Sequence, residues 1–177
     1  KKDKIKIIKL LDLVDIKEAE IVLGMETLDG DEEIEYDEHV WTSPLNDIKI
    51  IKKLKEEIIE IDSNNRDLYE INADNYISEL TNIDLEIREI VNNSKRHELI
   101  FGDRFPLRYF TDEYNLTYFA AFPGCSEQTE ASAKTIAFLI DKVKSDNIPV
   151  VFHIELSNSK IAEQIAKETG VKVLEFH

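Results

Sequence analysis

The stretch PVVFHIELSNSKIAEQIAKETGVKVLEFH, residues 149–177, decides the fold of this chain. Its first six residues, 149–154, are mostly β-branched or aromatic, which predicts a buried strand. Apolar residues then recur at helical spacing over 159–169, and Gly170 stands where a helix usually ends. A second apolar strand is predicted over 171–176. A strand, a helix and a strand in this order form a βαβ unit, whose two strands lie parallel in one sheet.

The same alternation extends backwards from this unit. Strands are predicted over 97–101 and 116–122, and helices over 105–114 and 130–143. We therefore predict an α/β fold in which residues 96–177 form a C-terminal lobe around a four-stranded parallel sheet. In such sheets, ligands bind beyond the carboxyl ends of the strands.

Helical signals dominate the N-terminal half of the chain. Residues 5–14, IKIIKLLDLV, are predicted to form a buried strand or a short helix, and the Asp- and Glu-rich residues 26–38 an acidic loop. Ser43 and Pro44 predict a helix start, because serine caps helix N-termini and proline suits the first helical position. That helix is expected to bury one face, made of Ile48, Ile51, Leu54, Ile58 and Ile61.

The polar stretch DSNNRD, residues 62–67, ends this helix and begins a second one. Apolar residues recur at helical spacing after it, so the second helix is expected to be about 25 residues or close to 40 Å long. Such a length suits a link between two lobes. The predicted domains are therefore 1–62 as the end of an N-terminal lobe, 63–95 as the linking helix, and 96–177 as the α/β lobe.

The composition narrows the range of partners. The formal net charge is −15, which disfavours nucleic acids and anionic membrane surfaces and favours cations. Neither an apolar run of about 20 residues nor a leader with a cleavage site is present, so we predict no spanning helix and no signal peptide, which suits a cytosolic chain or a processed piece of a secreted one. The single cysteine, Cys125, excludes an internal disulfide and is expected to be a small buried residue.

Acidic and histidine side chains stand at the carboxyl ends of the predicted strands. Asp103 follows the first strand, Glu155 the third and His177 the fourth, while Glu130 opens the helix after the second. Carboxylate and imidazole together are ligands for zinc or manganese. Each residue also has a structural explanation: Asp103 would cap the helix predicted from residue 105, and Glu155 and His177 would be solvated surface residues.

The other histidines divide into one candidate ligand and two structural residues. His39 lies between the acidic run and the only tryptophan, Trp41, and is either a metal ligand or a packed loop residue. His153 is expected in the core or at the rim of its strand, and His97 at the surface. Walker-type, GxGxxG and GxSxG motifs are absent from the sequence, and no local signature supports Cys125 as a nucleophile.

Five stretches of the chain carry a resemblance to a known family. They are DEHVWTSPLN (37–46), LYEINADNYISEL (68–80), FGDRFPLRYFTDEYNL (101–116), GCSEQTEAS (124–132) and VFHIELSNSKIAEQIAKETGVKVL (151–174). In the same order, they resemble segments of the metal-binding solute-binding proteins of ABC transporters, the zinc- and manganese-uptake family with ZnuA-, AdcA- and TroA-like members.

The resemblance implies a metal ion held between two lobes, each of which gives two ligands. His39 matches the second ligand, from the N-terminal lobe. Asp103 stands nearest the third ligand, with Arg104 as the alternative match, and His177 takes the place of the fourth. No histidine matches the first ligand, which implies a fragment that lacks most of the N-terminal lobe. The residues expected to support the ligands are Glu155, Trp41 and Glu130.

The resemblance further implies a function without turnover. The expected activity is that of an extracytoplasmic solute-binding component, anchored at the cell surface, which captures Zn²⁺ or alternatively Mn²⁺ and delivers it to a membrane permease. One alternative is a metal-dependent hydrolase with Glu155 as its general base. Another is an adhesin-like protein of the cell surface. The acidic loop is expected to be solvated, with weak gathering of cations as its alternative role.

Overall fold

The computed structural model describes residues 5–25, 36–124 and 130–177. The chain forms two compact units, the first made of Lys1–Ile16 and Val40–Asn93 and the second of Lys17–His39 and Ser94–His177. The predicted boundary at residue 95 lies close to the division at Asn93, whereas residues 17–25 and 36–39, expected in the N-terminal part, group with the α/β part. In the described part of the chain, no helix combines the length and apolar character needed to span a membrane.

Two helices make up most of the first unit. They are α1, Pro44–Ile61, and α2, Arg66–Asn93. As predicted, Ser43 caps α1, because its side chain accepts a hydrogen bond from the backbone amide of Asn46 at 3.3 Å. The second helix has 28 residues and is therefore about 42 Å long, which confirms the long helix expected from the sequence.

Two details of the first unit differ from prediction. Of the buried strand or short helix predicted over residues 5–14, the structure has a short 3-10 helix at Leu10–Leu13, but the segment is not buried, and Ile5 is 87% exposed. In α1, Ile50 and Ile59 are buried while Ile58 and Ile61 are exposed. The buried face of α1 therefore differs from the predicted one. Isoleucines occur on several sides of this helix, so their spacing alone does not select the buried side.

Asp47, in the first turn of α1, gives the first unit a predicted pH dependence. Burial raises the pKa of this carboxyl to about 6, so protonation is favoured more in the folded than in the unfolded chain. Stability should therefore fall as pH rises from about 4 to about 6, and the cost should persist above that range. We expect Asp47→Asn to stabilise the chain at pH 7.5 but not at pH 4, as measured by urea denaturation.

The expected gain from Asp47→Asn is below about 1 kcal/mol, because the side chain is only half-buried and the helix N-terminus favours a negative charge by a comparable amount. Asp67→Asn, in the exposed first turn of α2, is the matched control. An equal gain from both variants, or a gain for Asp47→Asn that does not change with pH, would contradict the assignment.

The second unit is built on a four-stranded parallel sheet, as predicted. Its strand order is β2-β1-β3-β4. The strands are β1 Glu98–Phe105, β2 Thr117–Pro123, β3 Val150–Ile154 and β4 Lys172–Phe176. The helices are α3 Arg108–Glu113, α4 Ala133–Ser145 and α5 Lys160–Thr169. Gly170 ends α5 with φ 77, which confirms its predicted role.

The first strand is longer than the sequence predicted. After an irregularity between Phe101 and Arg104, β1 pairs with β2 again as far as Phe105, where a helix had been expected. Proline disfavours helical backbone in the residue before it, so Pro106 keeps Phe105 extended and delays α3 until Arg108. Asp103 therefore lies inside the strand and does not cap a helix.

Both faces of the sheet are apolar. Ile100 and Val151 face one side and pack with Leu139 of α4 and Ile165 of α5. Phe101 faces the other side, in a cluster with Phe105, Tyr118, Phe152 and Phe176. The rings of Phe105 and Tyr118 are stacked, with centroids 3.5 Å apart. A sheet packed on both faces holds its strand ends in fixed positions, and Glu155 and His177 directly follow two of those ends.

Candidate metal centre

The segment that carries His39 is anchored within the second unit. The backbone amide of Asp37 donates to the carbonyl of Lys17 at 2.9 Å, next to an antiparallel bridge between Glu18 and Tyr36. The Tyr109 hydroxyl, from α3, donates to the carbonyl of Asp37 at 2.8 Å. The resemblance assigned His39 to the N-terminal lobe, but its contacts group it with the sheet.

Asp37 orients the imidazole of His39. Its side chain is buried, and one oxygen, Oδ1, lies 2.8 Å from the backbone nitrogen of His39 and 2.9 Å from Nδ1 of the ring. The hydrogen bond with Asp37 raises the pKa of His39 above its ordinary value, against the opposing effect of burial. A carboxylate only accepts hydrogen bonds, so Nδ1 carries the proton and the ring lone pair lies on Nε2.

His39 stands where β1 and β2 end. A Cβ atom added to Gly124, just after β2, would lie 3.4 Å from Cε1 of His39 and 2.9 Å from the carbonyl oxygen of Phe105. Only glycine fits this close approach without displacing a neighbour. His39 therefore occupies the edge of the sheet at which ligand sites of parallel α/β folds are found.

Asp103 is buried and braces the turn between β3 and α5. Its Oδ2 accepts hydrogen bonds from the backbone amide of Ile154, at 3.0 Å, and from the hydroxyl of Ser157. Its Oδ1 accepts from the backbone amide of Arg104 at 2.7 Å. Leu156, within this turn, has a φ of 62, a left-handed conformation that needs support in a leucine. These contacts favour a structural role for Asp103.

His177 lies with two carboxylates at the end of β4. Its Nδ1 is 3.0 Å from Oε2 of Glu155, so these two residues meet as the sequence analysis expected. Glu175 completes a group whose possible ligand atoms all lie within 4.8 Å of one another. All three side chains are exposed, and the hydrogen bond with Glu155 raises the pKa of His177. This group is solvated on the surface of the second unit.

The structure does not bring the three predicted ligands together. His39 lies near Gly124, at the end of β2, whereas His177 follows β4, at the other edge of the sheet. Neighbouring strands are about 4.8 Å apart, so β2 and β4 are separated by about 14 Å. In the described part of the chain, the residues able to hold an ion form two separate groups: Asp37, Glu38 and His39, and Glu155, Glu175 and His177.

In the described part of the chain, the remaining candidates are not members of the group of Asp37, Glu38 and His39. Glu130 is exposed and lines a cleft of about 430 Å³ together with Asp103 and Arg104. Trp41 belongs to the first unit, on a 3-10 turn, and is 54% exposed. His153 is half-buried and its Nδ1 lies 3.1 Å from the carbonyl oxygen of Ile154. As predicted, His97 is exposed. Cys125 and most of the acidic loop, 26–35, lie outside the described residues.

Two residues of this site were missed by the sequence analysis. Asp37 precedes His39 by two positions, and this spacing could have suggested a carboxylate that supports the ring. Tyr109 is 72 residues away in sequence from Asp37, and no local pattern connects the two.

The comparison with protein families decides which family the chain belongs to. The model of a family described as "Zinc-uptake complex component A periplasmic", ZnuA, matches residues 1–177. The chain belongs to this family. The family consists of uptake components and not of enzymes, and its fold is that expected from the sequence.

Individual ZnuA-family proteins show how much of a relative the chain represents. It is 32% identical over 136 residues to the high-affinity zinc uptake system protein ZnuA of Bacillus subtilis strain 168, covering 77% of this chain and 42% of that protein. It is 27% identical to the zinc-binding lipoprotein AdcA of Streptococcus pneumoniae strain R6, covering 93% of this chain and 36% of AdcA. A crystal structure of ZnuA superposes with a TM-score of 0.73 at 29% identity, covering 81% of this chain and 53% of that one. The chain thus spans less than half the length of these curated relatives.

Proposed function

We propose that the chain is part of an extracytoplasmic solute-binding component that captures Zn²⁺ for uptake by an ABC transporter. The observation that carries the proposal is the orientation of His39 by the buried carboxylate of Asp37, which puts the ring lone pair on Nε2. Metal-binding histidines almost always donate their other ring N–H to such a partner. The names of the relatives, a zinc uptake protein and a zinc-binding lipoprotein, support zinc as the cargo.

His39 is the residue on which the proposed zinc site rests. Glu38 belongs to the same group and offers a carboxylate oxygen as a further ligand. Asp103 and His177 stay proposed ligands from the resemblance. His177, however, follows β4, so it would have to approach His39 from the opposite edge of the sheet. Imidazole favours zinc, whereas a site dominated by carboxylates would favour manganese.

The partner and location follow as parts of the same proposal. A solute-binding component of this kind hands its ion to a membrane permease. The family description includes the word periplasmic, and AdcA is named a lipoprotein, which supports a place outside the cytoplasm and anchored to a membrane.

A competition titration with a chromogenic chelator tests the proposal on this chain. We expect one Zn²⁺ per chain, bound at least about tenfold more tightly than Mn²⁺ because of the imidazole ligand. The zinc-loaded chain should not hydrolyse generic phosphate ester or peptide substrates. Absence of zinc binding would overturn the proposal, and zinc-dependent turnover lost in Glu155→Gln would establish the hydrolase alternative.

A further inference from the structure

We infer that Asp37 and Tyr109 are positioning residues that hold His39 in the tautomer and orientation in which Nε2 binds the metal. This inference rests on the proposed function, because it takes His39 to be a ligand. It adds the two residues that orient this ligand, one of which, Tyr109, lies on α3 and is far from His39 in sequence.

Asp37 acts on both the ring and the backbone of His39. The same oxygen, Oδ1, accepts from the backbone nitrogen at 2.8 Å and from Nδ1 at 2.9 Å. Two bonds to one buried oxygen close a small ring of atoms, which limits rotation of the imidazole about its side-chain bonds. Because the acceptor is a carboxylate with only 3% of the residue exposed, the tautomer with a proton on Nδ1 is favoured strongly over the other.

Tyr109 fixes the backbone from which Asp37 and His39 extend. Its hydroxyl donates to the carbonyl of Asp37 at 2.8 Å and accepts from the backbone amide of Lys17 at 3.2 Å. The residue is 3% exposed, so water does not readily replace it. The amide of Asp37 in turn donates to the carbonyl of Lys17. The hydroxyl of Tyr109 therefore forms hydrogen bonds from α3 to the segments of Lys17 and Asp37, and Asp37 is the residue that orients His39.

Removal of the Asp37 carboxylate or of the Tyr109 hydroxyl should weaken metal binding, although neither group is itself a proposed ligand. In Asp37→Asn the charge is lost and the amide no longer selects one tautomer. In Tyr109→Phe the carbonyl of Asp37 and the amide of Lys17 lose a buried partner, and the segment can shift. Loss of a group that orients a metal ligand typically costs 10- to 100-fold in affinity.

The test combines zinc affinity with the tautomer of His39. We expect the Kd for Zn²⁺ to rise about tenfold or more in Asp37→Asn, and by a smaller factor in Tyr109→Phe. Long-range ¹H–¹⁵N spectra of the zinc-free chain should show the proton on Nδ1 in the original chain and a mixture of tautomers in Asp37→Asn. A purely structural role would lower the thermal midpoint but leave the tautomer unchanged.

Tyr69→Phe is the control, because the hydroxyl of this tyrosine also donates to an aspartate, Asp62, at 2.8 Å, but belongs to the first unit. It should keep the original Kd. The inference is overturned if Asp37→Asn keeps both the Kd and the tautomer, or, should that variant fail to fold, if Tyr109→Phe binds zinc as Tyr69→Phe does. If His39→Ala loses zinc binding and Asp37→Asn keeps it, the inference is refuted but the proposed function stands. A chain that binds no zinc at all would refute the proposed function.

Discussion

Replacing His39 with alanine is expected to weaken zinc binding by about 100-fold or more. Removing a partner of a ligand costs 10- to 100-fold, and removing the ligand itself should cost at least the upper end of that range. The chain should still fold, because the buried Oδ1 of Asp37 keeps the backbone amide of residue 39 as a hydrogen-bond donor. A chelator competition titration of both proteins, with thermal midpoints recorded beside it, measures the effect.

Two other histidines make the result specific. His97→Ala removes an exposed imidazole just before β1, at the opposite end of that strand, and should leave the Kd unchanged. His177→Ala separates the two groups of possible ligands. If His177→Ala abolishes binding and His39→Ala does not, the ion belongs to the group of Glu155, Glu175 and His177, and the site proposed at His39 is wrong. If both variants lose binding, the two groups come together in a state other than the one described.

Replacing Gly102 with alanine is expected to destabilise the second unit by about 3 kcal/mol or more. An added Cβ would lie 2.5 Å from the Cα atom of Ala162 and closer still to its backbone nitrogen. No side-chain rotation relieves a clash with backbone, so α5 would have to move away from β1. Inserted methyl groups in tight cores typically cost about 1–3 kcal/mol, and a backbone clash belongs at the upper end. Urea denaturation followed by far-UV circular dichroism measures the loss.

Gly170→Ala provides the comparison for this substitution. Gly170 has a φ of 77 but no atom within 4 Å of an added Cβ, so alanine there meets only the backbone penalty of about 1–2 kcal/mol. We expect Gly102→Ala to lower the free energy of unfolding clearly more than Gly170→Ala does. Equal losses would mean that α5 does not lie as close to β1 as the structure describes.

Much of the α/β unit was predictable from the sequence because its signals are local. Alternating apolar strands and amphipathic helices define the four strands, and Gly170 closes α5 where the pattern stops. Ser43 and Pro44 likewise begin α1 through contacts within one helical turn. The failures were also local. Residues 5–14 form the predicted short helix only over Leu10–Leu13 and do not bury their apolar side chains. Pro106 delays a helix that periodicity alone had started at residue 105.

The site depends on both levels. The sequence by itself determined the family, the parallel sheet and the candidate His39, because each follows from residue types at short or ordered spacing. Only the tertiary structure decided that Tyr109 supports Asp37, that Asp103 braces a turn, and that His177 lies with Glu155 away from His39. The order of the strands places β2 and β4 about 14 Å apart at opposite edges of the sheet, and a linear pattern does not encode that order.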